Sequence, residues 1–153
     1  MKRVVICDVD NTIANVAWRE SYIAEGWDVY HALATNDKPF EDIVNLLKAL
    51  DQASYYIIGV TSRPEKWRKL TMEWLIKYEI PMHDLWMRPP DDFRGAHELK
   101  IDLINRNMKD PTSQISFVLE DREDVVSAFR ALGITTLQVS AHDRCSGETK
   151  ESI

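Results

Sequence analysis

The chain has 153 residues, of which 44% are hydrophobic and 29% are charged, as is typical of one globular domain with its own core. Its formal net charge of −6 argues against broad, nonspecific binding to nucleic acid, because such binding requires clustered positive charge. No apolar run approaches a membrane span, acidic residues come too early for a signal peptide, and the two cysteines make no disulfide framework. We therefore expect a single cytoplasmic domain over residues 1–153, with a polar tail from about residue 140.

Predicted strands and helices alternate along the chain. Short apolar runs predict strands over residues 4–7, 55–60, 85–87, 115–119 and 135–139. Apolar residues at helical spacing predict helices over residues 41–50, 64–78, 96–108 and 125–132, and residues 14–24 also fit a helix. This alternation predicts an α/β domain with a central parallel sheet and helices on both faces. The carboxyl ends of its strands would then meet at one crevice, where such sheets bind ligands.

Acidic residues follow two of the predicted strands. They are Asp8 and Asp10 after the first strand, and Glu120, Asp121 and Asp124 after the fourth. If the first strand extends through Asp10, the alternation of side chains places its two carboxylates on the same side. Neighbouring carboxylates repel one another unless a cation neutralises them, and hard oxygen ligands of this kind suit Mg²⁺. Solvated acidic side chains or a helix cap are the alternative, and the position after buried strands favours the metal site.

The second predicted strand ends at Thr61, Ser62 and Arg63. The next residue, Pro64, fits the first turn of a helix, where its missing N–H costs nothing. Hydroxyl groups beside a helix N-terminus form a natural site for an anion. An ordinary helix cap by Thr61 or Ser62 explains the same residues, and both interpretations can hold together. Lys100, near the start of a later helix, fits a solvated surface lysine when it is taken alone.

Aromatic side chains are concentrated in the irregular segment over residues 13–39. They are Trp18, Tyr22, Trp27 and Tyr30, together with the ring of His31. We expect most of these rings to pack against the body of the domain. One or two of them can instead border the mouth of the site and stack on a nucleobase or another flat group.

Four motifs, taken in order, resemble those of the haloacid dehalogenase superfamily of phosphohydrolases. The sequence D-V-D-N-T at residues 8–12 resembles the first motif, and Thr61 at the end of Y-I-I-G-V-T resembles the second. Lys100 resembles the third motif, and Glu120 with Asp121 resembles the acidic fourth. The resemblance implies the three-layer, Rossmann-like fold of that superfamily.

Longer stretches resemble the phosphatase domain of phage-type polynucleotide kinase-phosphatases. They are V-T-S-R-P-E-K-W-R-K-L-T-M-E-W-L, D-K-P-F-E-D-I-V-N-L-L, L-W-M-R-P, E-D-R-E-D-V-V, F-R-A-L-G-I and L-Q-V-S. They extend the resemblance from residue 4 to about residue 139, and the sequence contains no G-x-x-x-x-G-K-[ST] loop of a kinase. The chain departs from the family pattern at Asn11, where glycine is usual, at Glu120, where aspartate is frequent, and in its tail. Asparagine tolerates the left-handed backbone conformation, so the first departure is compatible with the motif.

The resemblance implies a role for each residue of the motifs. Asp8 would attack phosphorus to form an aspartyl-phosphate, and Asp10 would protonate the leaving oxygen and then activate water. The Asp8 carboxylate, the backbone carbonyl of Asp10 and Asp121 would hold Mg²⁺. Thr61 and Lys100 would bind the phosphate oxygens.

Further residues are implied to support the metal or the substrate. Glu120 and Asp124 would contact the residues that bind the metal, or would bind the metal through a water molecule. The side chains of Arg63, Arg68, Arg88 and Arg94 suit a phosphate or the edge of a base, although each also fits a surface ion pair. The expected substrate contacts are Thr12, Ser62, Arg63 and Arg88.

The spacing of the motifs bears on the substrate. Between Thr12 and Thr61 there is room for one irregular segment and one helix, so we expect no large cap domain. An open site admits a bulky end, which favours Mg²⁺-dependent hydrolysis of nucleotide phosphates, above all the 3′-phosphate ends of DNA or RNA. The alternative substrates are (deoxy)nucleoside monophosphates, with the aromatic segment around the base, and the negative net charge favours them. A catalytically silent nucleotide-binding module is a third hypothesis, against which the intact pair of Asp8 and Asp10 argues.

Overall fold

A computed structural model describes residues 3–139 of the chain. Its central strands are β1 (Val4–Cys7), β4 (Tyr56–Pro64), β5 (Asp84–Arg88), β6 (Ile115–Glu120) and β7 (Thr136–Gln138). They form a parallel sheet in the order β5-β4-β1-β6-β7, and β2 (Ala14–Asn15) pairs with β3 (Lys38–Pro39) in a separate antiparallel ribbon. The predicted parallel sheet is confirmed, whereas the predicted polar tail lies outside the described residues.

Helices cover both faces of the sheet, as predicted. On one face lie α2 (Glu41–Gln52) and α3 (Arg68–Lys77), and on the other lie α4 (Ala96–Asn107) and α6 (Glu123–Ala131). Two shorter helices, α1 (Trp27–Ala32) and α5 (Pro111–Gln114), belong to the connections. None of the helices within residues 3–139 is long and apolar enough to cross a membrane.

The core is divided by the sheet into two apolar layers. Ile6 and its partner Ile58 on β4 pack with α4 and α6, whereas Cys7 and Ile57 pack with α2 and α3. This division follows from the alternation of side chains along a strand. All four side chains are at most 4% exposed, so the sheet is buried on both faces, as its continuous apolar runs predict.

The segment predicted as a helix over residues 14–24 has a different structure. It consists of β2 followed by a 3₁₀ helix over Ala17–Glu25. The reason is that its polar and apolar residues do not separate into two faces. Arg19 is completely buried, while Trp18 and Tyr22 remain about 40% exposed. The helix expected here therefore forms over most of the segment, but as a 3₁₀ helix preceded by β2.

The end of β4 also differs from the prediction. The strand continues to Pro64, which has extended backbone angles, and a 3₁₀ helix over Glu65–Trp67 separates it from α3. Trp67 precedes α3 and forms no side-chain cap, so neither Thr61 nor Ser62 caps that helix. The predicted anion site at a helix N-terminus immediately after Thr61 is therefore not formed.

Replacement of Leu47 by alanine tests the packing of α2 on the sheet. Leu47 is fully buried, so we expect the free energy of unfolding to fall by about 2–5 kcal/mol as a cavity opens. The matched control is Leu46→Ala, because Leu46 is 37% exposed on the same helix and its loss should cost less than about 1 kcal/mol. Urea unfolding measures both variants, and equal losses would contradict this packing.

Candidate active site

The chain turns sharply after β1 and separates the two aspartates of the first motif. Asn11 adopts a left-handed conformation with φ 62°, which asparagine tolerates better than most residues. The carbonyl of Val9 accepts hydrogen bonds from the N–H groups of Ile13 and Ala14, both at 2.9 Å. Because β1 ends before the motif, it does not hold both carboxylates in one extended row, and each has different partners.

Asp8 lies in a buried group of three carboxylates at the carboxyl ends of β1 and β6. One oxygen each from Asp8, Glu120 and Asp121 lies within 4.8 Å of the others. The ammonium of Lys100, carried inward by α4, donates to Asp8 Oδ1 and Glu120 Oε2, both at 2.7 Å. Thr12 fixes the second oxygen of Asp8 by donating from Oγ1 to Oδ2 at 3.0 Å. The first, third and fourth motifs therefore meet at one place.

The crowding of these carboxylates changes their affinity for protons. Burial, followed by repulsion from Glu120, raises the pKa of Asp8 above its ordinary value. Burial, followed by the charge of Asp8, also raises the pKa of Asp121. Burial alone would lower the pKa of Lys100, but Asp8 and Glu120 more than compensate and raise it. Lys100 therefore stays charged, while Asp8 and Asp121 hold protons more tightly than free carboxyl groups do, and a bound cation would displace those protons.

This group of carboxylates fits a divalent cation. With all three carboxyl groups ionised, Lys100 balances one negative charge and two remain. Asp121 Oδ1 is buried and has no hydrogen-bond partner among the described residues, as expected of an oxygen that binds something else. The donors are hard oxygens of the kind that Mg²⁺ prefers.

Asp10 belongs to a second, balanced group of charges. Its Oδ1 accepts from Arg63 Nη2 at 2.5 Å and from Arg19 Nη2 at 3.3 Å. The carboxylate of Asp37 accepts hydrogen bonds from Arg19 Nε at 2.8 Å and from Arg63 Nη2 at 3.4 Å. Both arginines and Asp37 are at most 1% exposed. Two guanidinium groups and two carboxylates thus neutralise one another in the interior, and this group leaves no charge for a metal.

The arginines keep Asp10 ionised but leave part of it accessible. Burial alone would raise the pKa of Asp10, but Arg63 and then Arg19 outweigh that effect and lower it. About a quarter of the Asp10 side chain is exposed, whereas Arg63 is buried beneath it. Arg63 was predicted as a substrate contact, but its N–H groups donate hydrogen bonds to Asp10, Asp37 and Thr71.

The end of β4 brings further predicted residues to the same edge of the sheet. Thr61 is buried, and its Oγ1 accepts the N–H of Arg63 at 3.2 Å. Ser62 Oγ is buried without a hydrogen-bond partner among residues 3–139. Arg88 donates to the carbonyl of Ser62 at 3.0 Å and to two carbonyls in the loop over residues 89–95. It therefore braces this loop against β4.

Asp124 and two arginines, Arg68 and Arg94, lie in ion pairs away from the group of three carboxylates. Asp124, expected to support the metal, instead receives Arg122 Nε at 3.0 Å and the N–H of Val125. It is absent from the group of carboxylates, whereas Glu120, expected in the same supporting role, is a member. The two remaining arginines also pair locally: Arg68 with Glu65, and Arg94 with Asp92 and Asp102.

Sequence reasoning did not identify Arg19 and Asp37. Both lie in the irregular segment, where an arginine and an aspartate in a turn are typical of a solvated surface. Their burial depends on a contact across 18 residues, for which no periodic pattern gives a signal. The nearest signal is D-K-P-F-E-D-I-V-N-L-L, a stretch of the family resemblance that begins at Asp37.

Comparison with solved structures defines the class of protein first. A haloacid dehalogenase-like family hydrolase from Streptococcus pneumoniae shares the fold with a TM-score of 0.63 and 15% identity, covering 91% of this chain and 85% of that one. A class C acid phosphatase from Bacillus anthracis has a TM-score of 0.64 and 14% identity, covering 100% of this chain and 64% of that one. The fold is therefore that of the haloacid dehalogenase-like hydrolases.

More similar proteins identify the family within that class. The model of the polynucleotide kinase PNKP phosphatase domain matches residues 2–143, and the chain belongs to this family of phosphatase domains. In a Pnkp1/Rnl/Hen1 RNA repair complex, one chain is 28% identical with a TM-score of 0.79, covering 91% of this chain and 42% of that one. A protein of Autographa californica nuclear polyhedrosis virus, named as a bifunctional polynucleotide kinase/RNA ligase, is 30% identical over 137 residues. That match covers 88% of this chain and 19% of the viral protein, so the chain spans less than half of these relatives.

Arg63→Lys tests whether Arg63 positions Asp10 or binds substrate. The lysine keeps the charge but loses the forked contact, so we expect kcat on a phosphomonoester to fall about 10- to 100-fold with KM changed less than about twofold. Arg68→Lys is the control, because Arg68 pairs with Glu65 and contacts neither aspartate of the first motif. Steady-state kinetics separate the two roles, and a higher KM at constant kcat would support the substrate contact predicted from sequence.

Proposed function

We propose that this chain is a Mg²⁺-dependent phosphomonoesterase that removes 3′-phosphates from the ends of DNA or RNA through an aspartyl-phosphate intermediate. The observation that carries the proposal is the buried group of Asp8, Glu120 and Asp121, whose negative charge Lys100 balances only in part. Membership in a family of polynucleotide kinase-phosphatase domains supports the class of substrate.

Asp8 is the proposed nucleophile. Hydrogen bonds from Lys100 and Thr12 hold its two oxygens in a fixed orientation, which reduces the entropy lost when the carboxylate attacks. An oxygen of Asp8 forms a bond to phosphorus while the bond from phosphorus to the 3′-oxygen breaks. When bound by Asp8, Asp121 and the Asp10 carbonyl, Mg²⁺ would neutralise the charge between the anionic carboxylate and the anionic phosphate.

Asp10 is the proposed acid and base. Arg63 and Arg19 keep Asp10 ionised in the free protein, so the acid step requires that Asp10 first takes up a proton. It then gives that proton to the leaving 3′-oxygen, and the same arginines stabilise the carboxylate that remains. In the second step this carboxylate takes a proton from water, and the water oxygen attacks phosphorus and releases phosphate from Asp8. The exposed part of Asp10 suits this exchange of protons with substrate and solvent.

Donors around the carboxylates are proposed to bind the phosphate oxygens. Lys100 already contacts Asp8, and Thr61 lies near the carboxyl end of the neighbouring strand. Ser62 offers a buried hydroxyl without a partner among the described residues, so a phosphate oxygen would satisfy it. These groups would bear the charge that moves onto the phosphate oxygens during transfer.

The lack of a cap domain between β1 and β4 supports a large substrate. Between β1 and β4 the chain forms only the β2–β3 ribbon, short helices and α2, which contribute no separate cap domain. A polynucleotide end can therefore approach the carboxyl edge of the sheet. The second candidate, a phosphatase for (deoxy)nucleoside monophosphates, is favoured by the net charge of −6 and by the aromatic rings near Asp10.

Phosphate release with Mg²⁺ from two kinds of substrate tests the proposal. One substrate is a 3′-phosphorylated oligonucleotide, and the other is a panel of 3′- and 5′-mononucleotides. We expect the oligonucleotide to have the higher kcat/KM, and Asp8→Asn to lower every rate by at least about 1,000-fold. Higher kcat/KM for the mononucleotides would favour the second candidate, and hydrolysis of neither would reject both.

Asp121→Asn tests the proposed metal ligand. Loss of one carboxylate charge should raise the half-saturating concentration of Mg²⁺ by at least about tenfold, and a chelator should abolish the wild-type activity until Mg²⁺ is restored. Asp124→Asn is the matched control, because the Asp124 carboxylate pairs with Arg122, and it should change this concentration less than about twofold. Activity that persists in excess chelator would contradict the metal site.

A further inference from the structure

Three rings form a column beside the proposed acid and base. Trp27 stacks on His31 with 5.9 Å between ring centroids and 27° between planes, and His31 lies 6.1 Å from Trp67 at 33°. Trp27 is 60% exposed, whereas His31 is 8% exposed. The column therefore ends in an indole with much of its surface open to solvent, while the rings behind it support that indole.

We propose that Trp27, backed by His31 and Trp67, is a stacking platform for a nucleobase of the substrate. This inference rests on the proposed function and names the part of the substrate, beyond its phosphate, that the site recognises. Stacking on an aromatic ring tolerates any base sequence, because every base presents a π-face. A phosphatase that acts on many different ends needs recognition of that kind.

Two contacts connect the platform to the catalytic edge of the sheet. Arg19, which holds Asp10, also donates from Nη1 to the carbonyl of Tyr30 at 3.0 Å and lies 4.2 Å from the centre of that ring. Tyr30 in turn packs edge-on against Trp27, with 5.5 Å between centroids. Two side chains, Tyr30 and Arg19, therefore connect Trp27 to Asp10.

A second link, between exposed side chains, connects two parts of the platform. Lys66 Nζ pairs with Asp28 Oδ1 at 2.5 Å and lies 5.4 Å from the centre of the Trp67 ring. This pair joins α1 to the 3₁₀ helix that follows β4. A platform fixed before binding loses little conformational entropy when a base stacks on it.

Polar atoms of two of these rings are left without partners. His31 Nδ1 and Trp67 Nε1 are both buried and make no hydrogen bond to any described residue. Such atoms are costly unless a ligand or water satisfies them. Burial lowers the pKa of His31 to about 4, so the ring is neutral at neutral pH and can accept or donate a hydrogen bond. A nucleoside supplies both kinds of partner.

Trp27→Ala tests the platform with three phosphate esters. The first is a 3′-phosphorylated oligonucleotide, the second is the same oligonucleotide without bases at its last two positions, and the third is p-nitrophenyl phosphate. We expect KM for the first to rise about 5- to 150-fold, with kcat unchanged, because stacking is lost. For the other two, kcat and KM should change less than about twofold. Trp27→Phe should recover most of the affinity.

Tyr56→Ala is the matched control, because Tyr56 is also an exposed ring stacked on a histidine but lies at the amino end of β4, opposite the site. Phe93→Ala tests another exposed ring, in the loop that Arg88 braces. An unchanged KM for the complete oligonucleotide in Trp27→Ala, an equal rise for all three esters, or a base-dependent effect of Phe93→Ala alone would each overturn the platform. Failure of the proposed function is distinguishable, because the wild type itself would then hydrolyse only p-nitrophenyl phosphate.

Discussion

Unequal neutralisation of buried charge is the constraint on which the rest of this site depends. At the ends of β1 and β6, three carboxyl groups meet one lysine, and the raised pKa values of Asp8 and Asp121 reflect the cost of further negative charge there. By contrast, the carboxylates of Asp10 and Asp37 pair with Arg19 and Arg63, and these four charges balance. The balanced ion pairs around Asp10 fix their side chains in place, whereas the carboxyl groups around Asp8 require additional positive charge to be fully ionised.

The two groups give the aspartates of the first motif different surroundings. Asp8 and Asp10 are separated by one residue, yet β1 ends before the motif, so the two side chains do not share one extended row. Burial and repulsion raise the pKa of Asp8, while guanidinium groups lower that of Asp10. In the free protein these directions favour a protonated Asp8 and an ionised Asp10, so the roles proposed for them require a cation that returns Asp8 to its carboxylate form and a proton taken up by Asp10.

The sheet and its main helices could be predicted because the strands are short continuous apolar runs and the helices carry apolar residues with period 3.6, and the order of the motifs indicated the family. The residues around Lys100 do not by themselves predict its position, because alone it resembles a surface lysine. Only the order of the motifs placed it in the site. Arg19 and Asp37 could not be found, because a buried pair formed across an irregular segment has no periodic signature. Arg63 was assigned to the right edge of the sheet, but its burial depends on Asp37, which the pattern does not reveal.

The side chain immediately before Asp8 has a consequence for redox chemistry. Cys7 is fully buried and donates from Sγ to the carbonyl of Asp8 at 3.2 Å. Burial, and then the nearby charge of Asp8, raise its pKa well above the ordinary value, so the reactive thiolate is scarce. Oxidants and alkylating reagents therefore find neither access nor a nucleophile at this position. The carboxylate chemistry proposed for Asp8 can proceed under oxidising conditions that would inactivate a phosphatase with a catalytic thiolate.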